Sequence, residues 1–526
     1  MKKALWLAAA AIVSLTAACG HKANQPKGQK TAPAPISVSR ATAADATRLG
    51  PFKTVLVSRP ADDSGSQACF KDKAANPALI REYEPHAAAN PANPDQIVAT
   101  WMAHTESAYI IQGAVSPDGG ATWSKPVALP LTECAGGLKG AVGAGDPWVA
   151  FGPDGRVYAG AIGLNLSSDQ KSLSYCALLV VTSVDGGRTW GPARVAAPNN
   201  MPIYNYDNFA VTADPSRPGT VYIASTQYRH VVPGKPLDPE EKDLEKNVVG
   251  PAAFARSTDG GETWTEMRPV TPLSAGGRIS APLVLAEKRT GRLHMVYFRE
   301  NGDDALLGAI SSDDQGDTWS IESVMVPFVR LTDDRDTTIK FGGKHEITTA
   351  QDIIQGAVDP VSGRVFVAFA DGRHTQGRFL SVSLTSSADG VSWTDPIQVN
   401  PPMDAHAWLP SVAIDGEGRL GVSYLDVWGW QPESMPTIPT KHMLGVYPLG
   451  PDGIPGTRFD YQFDVFNLLG PKGGRGGTGD YQALLGRSRG FVSVYVKHQP
   501  PGSTGVTDVM ASRWGDRAGL SPAAHE

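Results

Sequence analysis

Acidic side chains recur at one position of a repeated phrase in this 526-residue chain. Glu84, Asp146, Asp207, Asp352 and Asp480 each stand at or just before the start of a short apolar run, and Tyr481 follows the last of them. Two carboxylates facing one bond can divide the roles of proton donor and nucleophile or base. Arg278 holds the corresponding place in another copy of the phrase, and Arg299 and Arg373 follow the next apolar run. Their planar guanidinium forks suit a carboxylate on a ligand. His86, His406 and Trp408 belong to the same set, the indole as a stacking surface. The plainer reading stands beside this one. A carboxylate at a strand start caps neighbouring backbone N–H groups, and Asp146 and Asp480, each after a glycine, also suit turns.

The elements that must position these groups are repeats. The phrase is an apolar run, a turn of the Asp-Pro, Asp-Gly or Gly-Arg kind, and a second run rich in β-branched and aromatic residues. It occurs at Pro85–Trp101, Asp146–Ala161, Asn208–Thr226, Ala281–Phe298, Ile354–Ala370, Leu409–Leu425 and Asp480–Val496. A second pattern, Ser-x-Asp-x-Gly-x-Thr-Trp, follows the first five copies, centred on Asp118, Asp185, Asp259, Asp314 and, in a worn form, Asp389. Its Ser ends a third strand and its Trp begins a fourth. Asp can accept from turn amides, Gly supplies a positive φ, and Trp covers the turn, so these five acids are read as structural.

A repeat of four antiparallel strands is a propeller blade, so the expected fold is an all-β propeller of seven blades, with six as the alternative. The last unit lacks a fourth strand. Phe52–Ser58, an orphan strand near the N-terminus, is expected to complete it and hide the sheet edge. In such a ring the residues before each first strand converge on one face with the loops after each second strand. Those loops add His104, Tyr228, Arg229, Glu300, Asp371, His374, Asp426, Lys497 and His498, with Trp428 and Trp430 as further stacking surfaces.

Composition narrows the partners. Charged residues are 19% and the net charge is -6, without the basic stripe that a nucleic-acid surface needs. Lys2 and Lys3 precede an uncharged run from Ala4 to Ala18, the layout of an export signal. Leu15-Thr16-Ala17-Ala18-Cys19 resembles a bacterial lipobox, so residues 1–19 are expected to be removed or anchored through Cys19. Residues 20–50 read as a flexible tether, 51–516 as the propeller and 517–526 as a tail. The expected place is the bacterial envelope, with the membrane touched only through the lipid. Cys69, Cys134 and Cys176 then allow three pairings and leave one thiol over. No cofactor is expected. Asp333, Asp334 and Asp336 form an acidic loop whose oxygens suit calcium, although a solvated loop is the preferred reading.

The five Asp turns resemble the Asp boxes, or bacterial neuraminidase repeats, of the sialidase superfamily, over roughly residues 83–515. That resemblance implies a propeller and a sialidase-like, glycan-active hydrolase. Sialidases are six-bladed and use a Tyr nucleophile helped by Glu, an Asp acid/base and an arginine triad opened by Arg-Ile-Pro. That motif is absent here, and the nearest string is Arg278-Ile279-Ser280. The alternatives are a propeller that binds a glycan or an envelope protein without catalysis, and a polysaccharide lyase with His86 or His406 as base.

Overall fold

The computed structural model describes residues 54–58, 64–70, 80–105, 108–166, 173–201, 203–230, 248–271, 277–302, 304–331, 338–341, 345–402, 404–427, 438–468, 478–498 and 507–515. Cys19, the tether, the tail, Asp333, Asp334, Asp336, Trp428 and Trp430 lie outside them. Seven antiparallel sheets follow one another along the chain, giving a seven-bladed propeller rather than a six-bladed one. The innermost strands are Arg81–Asn90, Gly143–Phe151, Tyr204–Ala213, Gly277–Ala286, Gln355–Val358, Ala407–Ile414 and Ala483–Gly486. Six blades have four strands, and the third gains a short extra one at Val248–Val249. A hairpin, Thr338–Phe341 with His345–Thr348, sits between blades 4 and 5.

Each blade is wedged between two neighbours, so both its faces are apolar. The second strands show this most clearly. Trp101, Tyr158, Tyr222, Tyr297, Phe366, Tyr424 and Tyr495, one per blade, are among the largest fully buried side chains. Burying such rings removes apolar area worth roughly 25 cal/mol per Å².

The five Asp turns share one set of hydrogen bonds. In the first, Ser116 Oγ donates to Asp118 Oδ1 (2.9 Å) and accepts from Gly120 N (2.8 Å). Thr122 donates its amide to Asp118 Oδ1 (2.8 Å) and its hydroxyl to Oδ2 (2.6 Å). The same bonds hold Asp185, Asp259 and Asp314. In the worn copy, Ser392 N replaces the threonine amide at 2.7 Å from Asp389. Every one of these carboxylates is held below its usual range by its hydrogen bonds, with Asp185, Asp259, Asp314 and Asp389 at about 2.

The turns also join blades, which the sequence does not announce. Arg256 of blade 3 donates to Gln315 O in the blade 4 turn (2.9 Å), and Arg513 of blade 7 to Asp118 O in the blade 1 turn (3.5 Å). Blade 6 lacks the pattern, yet its Asp452-Gly453 turn takes the same place, with Arg364 Nε donating to Asp452 O at 3.1 Å.

The ring closes through the N-terminus. Thr54–Leu56 pairs with Ser512–Met510 as the fourth strand of blade 7. The chain then enters a helix, Ser64–Cys69, and a disulfide joins Cys69 to Cys134 of blade 1 across 65 residues. Gln112 Nε2 of blade 1 donates to Ser66 Oγ (3.1 Å) and adds a polar tie. Among the described residues Cys176 is the remaining thiol, buried, accepting from Tyr206 N (3.3 Å) and pushed up to about 12 by burial. The bridge therefore staples the segment that stitches blade 7 to blade 1. Cys69→Ser is expected to lower unfolding stability by about 2–4 kcal/mol. Urea denaturation with and without reductant checks this, and reductant should leave the variant unchanged.

Candidate functional site

The inner strands are not regular. Blades 1, 2, 3, 4 and 6 each carry a register shift on the first strand, at Tyr83/His86, Gly145/Trp148, Asp207/Ala210, Ser280/Leu283 and Trp408/Ser411. At each bulge one non-glycine residue has a positive φ: Glu84 (55°), Asp146 (54°), Asn208 (51°), Ala281 (48°) and Leu409 (55°). A proline follows in four of the five, as Pro85, Pro147, Pro282 and Pro410. Left-handed non-glycine residues cost on the order of 1–3 kcal/mol each and gather where geometry is functionally constrained. Here they gather around one axis.

The bulges are linked round the ring. Asp146 accepts from the backbone of Asn208, and Asn208 Oδ1 in turn accepts from Ala281 N at 3.0 Å. Asp207 Oδ1 accepts from Asn208 N at 2.9 Å. Glu84 accepts from the Asp480 backbone, while its Oε2 is buried without a partner. Gly479 makes that approach possible. At its φ of +84° a Cβ would lie 2.6 Å from both Glu84 N and Glu84 Cγ.

The expected carboxylates are thus brought together. Asp146, Asp207 and Asp480 line one axial cavity with Gln355, whose Nε2 has no partner. Trp148, Phe209, Leu283, Ile354 and Tyr481 supply apolar and aromatic lining. The cavity measures about 30 Å³, room for one or two waters and not for a sugar ring. Burial pushes Asp146 up to about 6, and Glu84, Asp207 and Asp480 well above the carboxylate range. After burial, the charge of Asp146 raises both Glu84 and Asp207, and that of Asp352 raises Asp480. Asp207 and Asp480 keep a water-accessible edge although blades surround them. The described residues hold no metal-binding group of three or more His, Cys, Asp or Glu.

Beside the acids lies a cationic group. Arg278 grips Glu300 through Nε (2.7 Å) and Nη2 (2.5 Å), and Arg330 holds the other oxygen of Glu300. Two guanidiniums thus share one carboxylate at a half-buried position. Asp352 and Tyr228 are within electrostatic reach of Arg278, and Asp207 of Tyr228. Burial raises the Tyr228 phenol above its ordinary value. Arg330 carries no sequence signal because it lies beyond the fourth strand of blade 4, Ser323–Pro327, in a connection that does not repeat.

Other expected groups have different employment. Trp408 is fully buried in the core between blades and offers no face to a sugar. His86 stacks on Trp148 (3.8 Å) and accepts from Val149 N (3.2 Å), and burial holds it down at about 3. His406 accepts from Leu380 N (3.2 Å) and is held at about 4. Both rings use a nitrogen to satisfy a backbone amide, so neither Nδ1 serves as the free base a lyase needs. Arg373 clamps the buried Asp371, with Nη2 2.7 Å from its carboxylate, and Arg299 pairs with Asp304 (3.3 Å) and Glu322 (3.2 Å). Only Arg278 of the three expected arginines joins the axial group. Tyr481 donates its hydroxyl to Pro147 O at 3.1 Å and lines the cavity with that hydroxyl already engaged.

No family model matches the chain, and no curated protein matches it. Among solved structures it is similar to a protein of unknown function from Dyadobacter fermentans, at 14% identity and a TM-score of 0.44, over 89% of this chain and 99% of that one. It is similar to an α-L-arabinanase from Penicillium chrysogenum at 14% identity and a TM-score of 0.42, over 72% and 93%. A NanB sialidase variant from Streptococcus pneumoniae is similar at 13% and 0.40, over 89% and 71%. Similarity at this level carries no functional argument.

Gly479→Ala is expected to cost at least about 2 kcal/mol, from a left-handed alanine and its collision with Glu84. Thermal unfolding measures it, and a variant as stable as the parent would show that the blade 7 entry is not pinned on Glu84.

Proposed function

We propose that the chain is a sialidase-like, glycan-active hydrolase working at the mouth of the axial cavity. One observation carries this reading: Asp480 lines the axial cavity beside Asp146 and Asp207, half-buried and with no cap on its oxygens among the described hydrogen bonds; burial pushes its carboxyl well above the usual range, and the charge of Asp352 reaches both it and Arg278. A protonated acid beside a second carboxylate next to a cation is the asymmetry that glycosidic cleavage requires. Asp480 donates a proton to the leaving oxygen. Asp352 or Tyr228 stabilises or attacks the sugar centre. Arg278 and Arg330, sharing Glu300, receive an anionic substituent of the sugar. The ring sits above the cavity, since the cavity takes only water.

The narrowness of that cavity favours a second reading, a propeller that binds a glycan or envelope protein without reacting. A panel of fluorogenic glycosides of neutral and acidic sugars, with an ultraviolet assay for unsaturated uronic products, separates the classes. Hydrolysis is expected, and Asp480→Asn is expected to reduce kcat about 10²–10⁴-fold with little change in KM. Unsaturated products would instead indicate a lyase, and silence from a folded protein would leave the binding reading.

We also place the chain on the bacterial envelope, held by a lipid on Cys19. Cys19→Ala is expected to move the protein from the membrane fraction to the soluble fraction. An unchanged distribution in cell fractionation would remove the anchor.

A further inference from the structure

The axial cavity carries a pattern of donors and acceptors that the hydrolytic roles leave unused. Four blades supply its polar lining: Asp146 from blade 2, Asp207 and Asn208 from blade 3, Gln355 from blade 5, and Asp480 at the entry to blade 7. Gln355 opens the first strand of its blade, opposite Ala368. It is 7% exposed, and its Nε2 has no hydrogen-bond partner. A buried amide N–H left alone is costly, and a native fold keeps such a group where a water or a ligand completes it. On the acceptor side, Asp207 Oδ1 takes the Asn208 amide (2.9 Å), while its Oδ2 is without a bond among the described hydrogen bonds.

This mixture of groups selects the ligand. A metal ion or an ammonium group would satisfy the carboxylates and leave the Gln355 N–H facing a positive charge. An anion would accept from Gln355 and meet Asp146, Asp207 and Asp480 at close quarters. A hydroxyl serves both sides, because it accepts from Nε2 and donates to a carboxyl oxygen, whether that carboxyl is charged or neutral. Size then selects which hydroxyl. A space of about 30 Å³ exchanges one or two waters for the carbon and oxygen of a CH2OH group. A secondary hydroxyl would bring a ring carbon with it, and the ring does not fit. The carbon of the arm suits the apolar lining of Trp148, Leu283 and Ile354, all buried.

We propose that the axial cavity is a subsite for one primary hydroxyl: water fills it in the free protein, and the hydroxymethyl arm of the bound sugar replaces that water, accepting from Gln355 Nε2 and donating to Asp146 or Asp207. This rests on the glycan reading above and adds to it the class of sugar. Gln355 is the specificity-determining residue, separate from Asp480 and from the Arg278–Arg330 pair, which read other parts of the substrate. A sugar whose arm is a methyl group leaves Gln355 and a carboxyl oxygen unpaired, and a site built on hydrogen bonds rejects such an analogue. A sugar whose arm is a carboxylate brings a further negative charge among the acids and is rejected by repulsion.

The test is binding of methyl galactopyranoside and methyl glucopyranoside, in both anomers, to the full chain by ligand-observed NMR titration. Each is compared with the counterparts whose hydroxymethyl group is a methyl or a carboxylate. The hydroxymethyl forms are expected to bind about ten-fold or more tighter than either counterpart. Gln355→Leu, close in size and without the donor, is expected to remove most of the difference between hydroxymethyl and methyl. Equal binding of those two forms to the parent, or a Gln355→Leu variant that keeps the full preference, overturns the subsite and leaves the glycan reading standing. The preference in a protein that cleaves no glycoside supports the subsite and removes the hydrolase. A panel neither bound nor cleaved overturns both. Should Gln355→Leu not fold, the hydroxymethyl and methyl pair decides on the parent alone.

Discussion

A blade with two apolar faces cannot stand alone, and that constraint governs the molecule. Each sheet needs a neighbour on both sides, so the stack is satisfied only when it returns on itself. The aromatic residues of the second strands, from Trp101 to Tyr495, are buried only in a closed ring. Closure then has to be made by chain that is distant in sequence. Three residues near the N-terminus supply the strand, and Ser58 and the Cys69–Cys134 bridge hold the segment beyond it. The arginine contacts to neighbouring turns spread the same cohesion round the outer edge.

The axis is where the packing leaves the rules of a regular sheet. Seven strands converging on a narrow centre have too little room for ordinary pleats, and five of them bulge. Each bulge turns a side chain towards the centre at the cost of a left-handed residue. Acids fill two of those positions, where Glu84 and Asp146 are buried, and flank others. Four carboxylic acids so placed cannot all ionise, because both burial and mutual repulsion oppose it. Chemistry and architecture therefore share residues: Asp146 and Asp207 cap bulge amides, while Asp480 is left with an open edge.

Most of the architecture was legible because it repeats. The hairpin phrase marked seven blades, and the Ser-x-Asp-x-Gly-x-Thr-Trp turns marked five of them without involving the axis. The gathering of Glu84, Asp146, Asp207 and Asp480 was visible for the same reason, since equal positions in a ring face one centre. The illegible part depends on direction within a strand. A one-residue bulge sends Trp408 into the core and frees none of its surface. The Glu-Pro, Asp-Pro, Ala-Pro and Leu-Pro pairs were the available sign of the bulges, because proline gives the ladder no donor. Arg330 carried no sign at all, since it belongs to a connection and not to the repeat.

Tyr481 has one more implication. Its hydroxyl reaches from blade 7 to Pro147 of blade 2, and its ring lies 5.4 Å from Trp148, above Phe209 and Leu283. These side chains line the same small cavity on the axis. A bond from blade 7 to blade 2 passes over blade 1, so the two blades that flank blade 1 are tied to each other at the axis as well as through it.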